Sequence, residues 1–393
     1  MVVMSEIFTF QTVPKLIFGE GAAAQLTNLI HDIAAQRPAI ITDKGVAQCG
    51  LVAQVTEPLK VAGLDVLICD EVVADPPESI VQDIADKAKR HGADCIIGLG
   101  GGSPMDSAKV VAVLSGPDPQ PLPEIYGVGN VTAPRLPLVL IPTTSGTGSE
   151  VTSIAILTTG ETTKAGIVDP SLYADAALLD PELTRGLPPS VTAATGIDAM
   201  VHAIEAYTGR IRKNPMSDML AIAALKLLTG NLLQACHDGQ NDIAAREAML
   251  RGSMLAGQAF ANSPVGAVHA LAYPLGGIYH VPHGLSNALV MPHVMRFNLD
   301  VAAPLYAELA DALGVTGQGT GQRGDLQKAE QFIDYLVALS CDSGAPQRLR
   351  DIDIPYEALD RLADDAMLQT RLLVNNPRDV TRDDARKLYE HAY

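Results

Sequence analysis

Positive charge is what this sequence has least of. Its 28 lysines and arginines stand against 45 aspartates and glutamates, a formal net charge of −17 over 393 residues. A surface so acidic repels phosphate, so neither nucleic acid nor an anionic membrane is an expected partner. Cysteine is sparse as well. Cys49, Cys69, Cys95, Cys236 and Cys341 lie far apart without a CxxC pair, the usage of reduced, mostly buried thiols. Between Met1 and Phe10 there is no basic stretch leading into an apolar one, so no signal peptide is expected. No uninterrupted apolar run reaches the roughly 18 residues that a membrane span needs. The expectation is a soluble, cytoplasmic protein.

Core-forming residues are abundant. Apolar residues make up 47% and charged residues 19%, which is the composition of a packed chain. The length exceeds what one hydrophobic core supports, so two domains are expected. In the first half, apolar runs at Ala39–Thr42, Leu64–Cys69, Asp94–Leu99 and Leu138–Pro142 alternate with helical patterns at Val46–Ala62 and Ser79–His91. That alternation predicts an α/β domain built on a parallel dinucleotide-binding sheet, over residues 1–186. From 187 to 393 the pattern is all-helical, with helix openings at Pro189-Ser190 and Asn214-Pro215 and a capping box at Thr381 and Asp384. A glycine-rich surface loop is expected over Gly314–Gly324.

Two glycine motifs compete for a nucleotide. Gly19-Glu20-Gly21-Ala22-Ala23-Ala24 fits GxGxxA after the apolar run Lys15–Phe18, but a glycine turn feeding a helix satisfies the same pattern. Gly100-Gly101-Gly102-Ser103-Pro104-Met105-Asp106 follows a predicted strand and precedes the helical stretch Ser107–Leu114. Its backbone can approach an anion closely, with free amides and a favourable dipole behind it. A tight strand-to-helix turn is the plainer alternative. A second polar loop, Thr143–Glu150, follows the next strand, and two such loops at one sheet edge form the usual nucleotide crevice. Asp43, at the end of the Ala39–Thr42 strand, is placed to accept hydrogen bonds from a ribose diol, which would select NAD over NADP; an ordinary turn aspartate remains the alternative.

The second half holds metal candidates. Asp198 and His202 are four apart on one helix face, either as two ligands or as a plain helix pair. His269 and Tyr273 share that spacing on Val265–Tyr273, a helix that Pro274 then ends or kinks, and His283 follows. One carboxylate and three imidazoles, without thiolate, suit Fe²⁺ or Zn²⁺.

These segments together resemble the iron-dependent (group III) alcohol dehydrogenases, a family related to glycerol dehydrogenase and dehydroquinate synthase. The resemblance rests on Phe18–Gly21, Gly100–Asp106, Pro142–Thr152 (PTTSGTGSEVT), Thr195–Glu205 (TGIDAMVHAIE) and Pro282–Asn287 (PHGLSN), and spans nearly the whole chain. Within that family the chain resembles the lactaldehyde and propanediol reductases. The resemblance implies that Asp198, His202, His269 and His283 hold the metal. It implies the pyrophosphate on Gly101, Gly102 and Ser103 with Asp106 closing the loop, the nicotinamide half at Thr143 and Thr144, and the ribose region at Lys164. Asp43 matches the position selecting NAD, and Asp75, where many members have asparagine, disfavours a 2′-phosphate further. Tyr273 stands where many members carry a proton-relaying histidine; a phenol, ordinarily titrating near pH 10, can also donate a proton. The implied activity is reversible hydride transfer between NAD(H) and a small primary alcohol or aldehyde of the short diol or hydroxyaldehyde class, by a homodimer. A cyclase or lyase of the dehydroquinate synthase type and a non-catalytic nucleotide-binding relative are the competing readings.

Overall fold

Among the described residues, most short apolar runs bounded by glycine, proline or aspartate become strands, nine strands being present there. They are β1 (Leu16–Phe18), β2 (Pro38–Asp43), β3 (Leu67–Val72), β4 (Cys95–Gly100), β5 (Gly127–Val128), β6 (Leu138–Pro142), β7 (Ile154–Thr159), β8 (Thr163–Val168) and β9 (Ala176–Leu179). The computed structural model describes residues 7–160, 163–315 and 324–393. Six strands form one sheet in the order β1-β9-β6-β4-β2-β3, every neighbouring pair parallel. A smaller sheet has the order β5-β8-β7, with β7 and β8 antiparallel.

The parallel strands carry continuous apolar sequence because both faces are covered: β4 and β6 are buried throughout. Ile40, Ile97, Leu99, Val139 and Ile141 pack one face against Leu26, Ile30, Val55 and Leu59. On the other face the helix Gly102–Leu114 lies close to the sheet at Gly98, where a Cβ would come within 2.8 Å of the Ala108 methyl. From β2 the chain passes to β3 on one side and then to β4 on the other. This reversal opens a crevice at the carboxyl ends of β2 and β4, where ligands bind in open α/β sheets.

From Pro189 the chain is helical, through Pro189–Thr208, Pro215–Asp238, Ile243–Asn262, Ala267–Tyr279, His283–Leu313, Asp325–Asp342 and Arg382–His391 as its longer helices. The chain divides into two compact units. The α/β unit comprises Val13–Thr192 with Gln234–Met254, and the helical unit comprises Ala193–Leu233 and Leu255–Tyr393 with the N-terminal segment ending at Thr12. The Asn214 side chain accepts from the Ser217 amide at 2.9 Å, and Thr381 with Asp384 forms a reciprocal capping box. Buried Tyr389 donates to the Leu271 carbonyl at 2.6 Å, tying the last helix to Ala267–Tyr279.

Several elements differ from their expected bounds. The helix expected over Val46–Ala62 is two helices, Lys44–Gln48 and Leu51–Val61, because Gly50 turns left-handed at φ 80° between them. The helix expected from Ser107 already starts at Gly102. Pro274 does not end its helix, which runs on to Tyr279 and stops at left-handed His280. The missing N–H there is outweighed by packing, since Leu271, Leu275 and their neighbours are wholly buried. Apart from Gly314, Val315 and Gly324, the expected glycine-rich loop lies outside the described residues. Cys69, Cys95 and Cys236 are buried thiols, whereas Cys49 and Cys341 are exposed. The helix Pro215–Asp238 is long and apolar enough to cross a membrane although charged residues interrupt its sequence; 44% of its most apolar window is buried in protein, including Ala224, Leu228 and Leu232.

At Gly284 the helix His283–Leu313 meets the backbone of Pro189–Thr208 so closely that a Cβ would sit 2.0 Å from the Ala194 carbonyl oxygen. Gly284→Ala must push these helices apart and is expected to destabilise the protein by about 3 kcal/mol. Urea unfolding measures it; a wild-type midpoint would mean the contact is not a constraint.

Candidate metal centre and nucleotide cavity

Asp198 and His202 leave one face of Pro189–Thr208 a turn apart, His269 comes from Ala267–Tyr279, and His283 opens the next helix. Their ligand atoms all lie within 4.8 Å of one another. The Asp198 Oδ1 is 3.9 Å from His202 Nε2, 3.7 Å from His269 Nε2 and 3.6 Å from His283 Nε2. A tetrahedral ion with bonds of about 2.1 Å separates its donors by about 3.4 Å, so this spacing needs little adjustment. Asp198, His202 and His269 are buried, and the His283 side chain is partly exposed.

Each donor is held by a partner. The buried Glu205 carboxylate accepts from His269 Nδ1 at 2.6 Å and from the Val268 amide at 2.7 Å. That bond commits Nδ1 and leaves Nε2, on the Asp198 side, as the nitrogen able to ligate. His202 stacks between Phe260, 4.2 Å away by ring centroids, and His269, 4.6 Å away. Burial would raise the Asp198 carboxyl, but His202, His283 and His269 hold it far below the usual carboxylate range. Burial opposes charge on His269 too, yet Asp198 and Glu205 carry its pKa up to about 9. The cluster thus favours positive charge, and its hard and borderline donors fit a divalent iron or zinc ion. Tyr273, half-buried one turn after His269, has its ring centroid 5.8 Å from that of His283.

Within the α/β unit a cavity of about 1010 Å³ opens at the carboxyl ends of β2, β3, β4 and β6. Asp43, Gly101, Gly102, Ser103, Thr143 and Thr144 all line it. The helix Gly102–Leu114 has no side-chain cap, so its first amides are unspent, and the buried Thr144 Oγ1 meets no partner among the described residues. Asp43 does two things at once. Its Oδ1 caps Lys44–Gln48 by accepting from the Val46 amide at 2.9 Å, while the residue also lines the cavity. Asp75, Asp106 and Lys164 stand outside the lining. Asp75, left-handed at φ 51°, pairs with the nearly buried Lys164 at 2.6 Å. Asp106 accepts from Ser149 Oγ at 2.6 Å and from the Ile156 amide at 2.9 Å, so it is committed to fastening the loop.

The earlier glycine motif is spent internally. The Gly21 and Ala23 amides donate to the Asp180 carboxylate at 3.2 and 2.9 Å, which leaves no anion site there. Behind the Gly100 loop lies a residue that spacing alone did not single out, fully buried Lys109. Its Nζ donates to Ser149 Oγ at 2.7 Å, Thr152 Oγ1 at 3.1 Å and the Ile154 carbonyl at 2.6 Å. Glu205 and Asn287 also went unassigned, though each carries a signal. Glu205 lies three residues after His202 and Asn287 four after His283, on the ligands' own helix faces.

Comparison with known proteins finds relatives over nearly the whole chain. Residues 14–181 match the family described as iron-containing alcohol dehydrogenase, and residues 192–393 its C-terminal part. The chain is 41% identical over 377 residues to long-chain-alcohol dehydrogenase 1 of Geobacillus thermodenitrificans, covering 95% of this chain and 94% of that one. It is 34% identical over 382 residues to NAD-dependent methanol dehydrogenase of Bacillus methanolicus, covering 96% and 98%. A crystal structure of 1,3-propanediol oxidoreductase superposes with a TM-score of 0.93 at 34% identity, covering 99% of this chain and all of that one.

Two outcomes follow from this geometry. Glu205→Ala frees His269 to turn and is expected to weaken Zn²⁺ binding by about 10- to 100-fold in a chelator competition; unchanged affinity would make Glu205 a packing residue. Glu150, buried at the end of the second loop, has its pKa pushed by burial from 4.5 to about 7, with its backbone hydrogen bond and Lys109 acting the other way. The folded state therefore holds a proton that the unfolded chain releases, so the stability this group contributes is present below pH 4.5 and lost as the pH rises to about 7. Relative to wild type, Glu150→Gln should gain on the order of 2 kcal/mol in urea unfolding between mildly acidic and mildly alkaline solution. A constant difference would contradict it.

Proposed function

The chain belongs to the iron-containing alcohol dehydrogenase family and is an enzyme of that class, and from this premise we propose that it transfers hydride reversibly between NAD(H) and a small primary alcohol or aldehyde. The short diol or hydroxyaldehyde class is the proposed substrate, in line with the resemblance to lactaldehyde and propanediol reductases. The observation carrying the proposal is the convergence of Asp198, His202, His269 and His283 within 4.8 Å. When bound there, a divalent iron or zinc ion would polarise a carbonyl oxygen as a Lewis acid while NADH supplies the hydride.

This chain's own residues do the rest. Asp198 brings the charge that retains a cation, and Glu205 keeps His269 in the tautomer that can ligate. Gly101, Gly102 and Ser103 offer the pyrophosphate the unspent amides and positive dipole end of a helix. Asp43 faces a ribose diol with the oxygen its helix cap leaves over, and a 2′-phosphate would meet that charge. Thr143 and Thr144 hold the nicotinamide half; Asp106 keeps their loop closed, and the Asp75–Lys164 pair bears on the ribose region. Tyr273 exchanges the proton that accompanies hydride transfer.

The cyclase or lyase reading requires cations to grip a phosphorylated substrate. The cations that closely follow the metal helix in sequence are Arg210, Arg212 and Lys213; Arg210 is paired with Asp379 at 2.5 Å and Lys213 with Asp218 at 2.6 Å, and Arg212 is exposed. That favours the dehydrogenase. A cytoplasmic homodimer acting on small molecules, without nucleic acid or membrane, completes the reading; the net charge of −17 speaks against nucleic acid, the free cysteines for the cytoplasm, and the dimer rests on the family resemblance alone.

The test is NADH consumption after anaerobic reconstitution with Fe²⁺ or, separately, Zn²⁺, against short aldehydes and hydroxyaldehydes. Metal-dependent turnover is expected; a protein that binds no metal would end the reading. Asp198→Asn should lose metal and activity together. Tyr273→Phe should keep its metal and lose rate about 100-fold, and a full rate at every pH would remove Tyr273 from proton transfer. Asp43→Gly should relax the preference for NAD, whereas an unchanged NAD/NADP ratio would leave Asp43 a helix cap only.

A further inference from the structure

Asn287 lies one turn beyond His283 on the same helix face and is wholly buried. Its Nδ2 donates to Asp198 Oδ1 at 2.7 Å and lies 3.3 Å from His269 Nε2 and 3.4 Å from His283 Nε2. Three of the four candidate ligand atoms thus converge on one amide nitrogen, which has two hydrogens to give. The other end of the same amide is in the opposite position. Oδ1 is buried and meets no donor among the described residues. A buried carbonyl oxygen left in that way is costly unless something else calls for it.

A cation supplies the call. An ion seated among Asp198, His269 and His283 takes the lone pairs that this NH₂ group meets, and an N–H cannot aim at a positive charge. A half-turn about the Cβ–Cγ bond exchanges the two ends of the amide in nearly the same volume, with no backbone movement. We propose that Asn287 is an additional oxygen donor of the metal centre, its amide turning so that Oδ1 faces the ion. The inference rests on the metal reading of the Asp198 cluster. Asparagine is the suitable residue for such a role. Asp198 and Glu205, when ionised, carry two negative charges that a divalent ion balances, and a neutral carbonyl adds a ligand without upsetting that balance.

The experiment is Co²⁺ titration of the full-length protein stripped by chelator, reading affinity by competition and coordination number from the visible d–d bands, which intensify as coordination falls from five to four. Asn287→Leu, similar in volume and without a donor, should bind Co²⁺ about tenfold more weakly with stronger bands. Asn287→Asp offers oxygen in either orientation and should bind about tenfold more tightly. A leucine variant with wild-type affinity and bands overturns the proposal. So does an aspartate variant that binds no tighter than wild type, because a carboxylate oxygen at a ligand position must hold a dication more strongly than a neutral carbonyl does. Should the leucine variant fail to fold, the aspartate variant alone decides. Wild-type protein that binds no Co²⁺ brings down the metal reading itself, whereas binding that is indifferent to both substitutions removes only Asn287.

Discussion

Burying the Asp198 carboxylate is the demand to which the helical unit answers. A carboxylate taken out of water loses several kcal/mol of solvation unless positive charge and hydrogen bonds replace it. Here a second carboxylate, Glu205, is buried beside it, and no lysine or arginine pairs with either among the described residues. Three imidazoles and one amide are the replacement, drawn from three helices. That explains the close approach at Gly284, where only a hydrogen fits against the Ala194 carbonyl. It also explains why His269 is so readily protonated: a proton is the smallest cation that can meet the field of Asp198 and Glu205. A divalent ion meets the same field better, since its charge matches that of both carboxylates.

The α/β unit buries charge as well but closes the account within itself. Lys109 is wholly enclosed, and burial pushes its ammonium down from the usual range while Asp106 works against that shift. Its donors end on Ser149, Thr152 and the Ile154 carbonyl, and Asp106 ends on Ser149 and the Ile156 amide. The loop after β6 is thereby fastened to the helix after β4. Gly102 is what allows the fastening, because a Cβ there would come within 2.9 Å of the Thr147 methyl. A loop held in this way is preorganised, so a nucleotide need not order it on binding. The two kinds of interior differ in one respect. Ionic partners around Lys109 satisfy one another, whereas the Asp198 cluster gathers negative charge and lone pairs toward a common point.

Local chemistry was readable in the residues; convergence was not. The four-residue spacing of Asp198 and His202 already fixes a shared helix face, and Asn214 and Thr381 announce the helices they cap. Nothing in the spacing says that His269 and His283 meet them, because that depends on three helices packing at one angle. The family resemblance supplied it. Glu205 and Asn287 were within reach of the same periodicity, since each follows a ligand by one helical turn; a search confined to ligand types passes over residues that orient ligands. Helix ends departed from the expected bounds where tertiary forces won. Gly50 splits an apolar helical pattern by turning left-handed, while Pro274, a strong breaker in isolation, is overruled by a buried environment.

The two glycine motifs separate by what their amides already do. Gly19–Ala24 has the better textual match to a dinucleotide fingerprint, follows a strand, and leads through a short 3₁₀ turn into a helix. Its amides are nonetheless spent, because Asp180 supplies both carboxylate oxygens to Gly21 and Ala23. The loop thus already holds an anion, one covalently part of the chain. At Gly100–Ser103 the match to the fingerprint is poorer, but the helix behind it has no side-chain cap and the loop lines the large cavity. A phosphate competes for amides against whatever the fold offers them, and an aspartate already seated at 2.9 Å has paid its ordering entropy during folding. Glycine content therefore marks where a backbone can approach an anion, and the presence or absence of an internal carboxylate decides whether it waits for one.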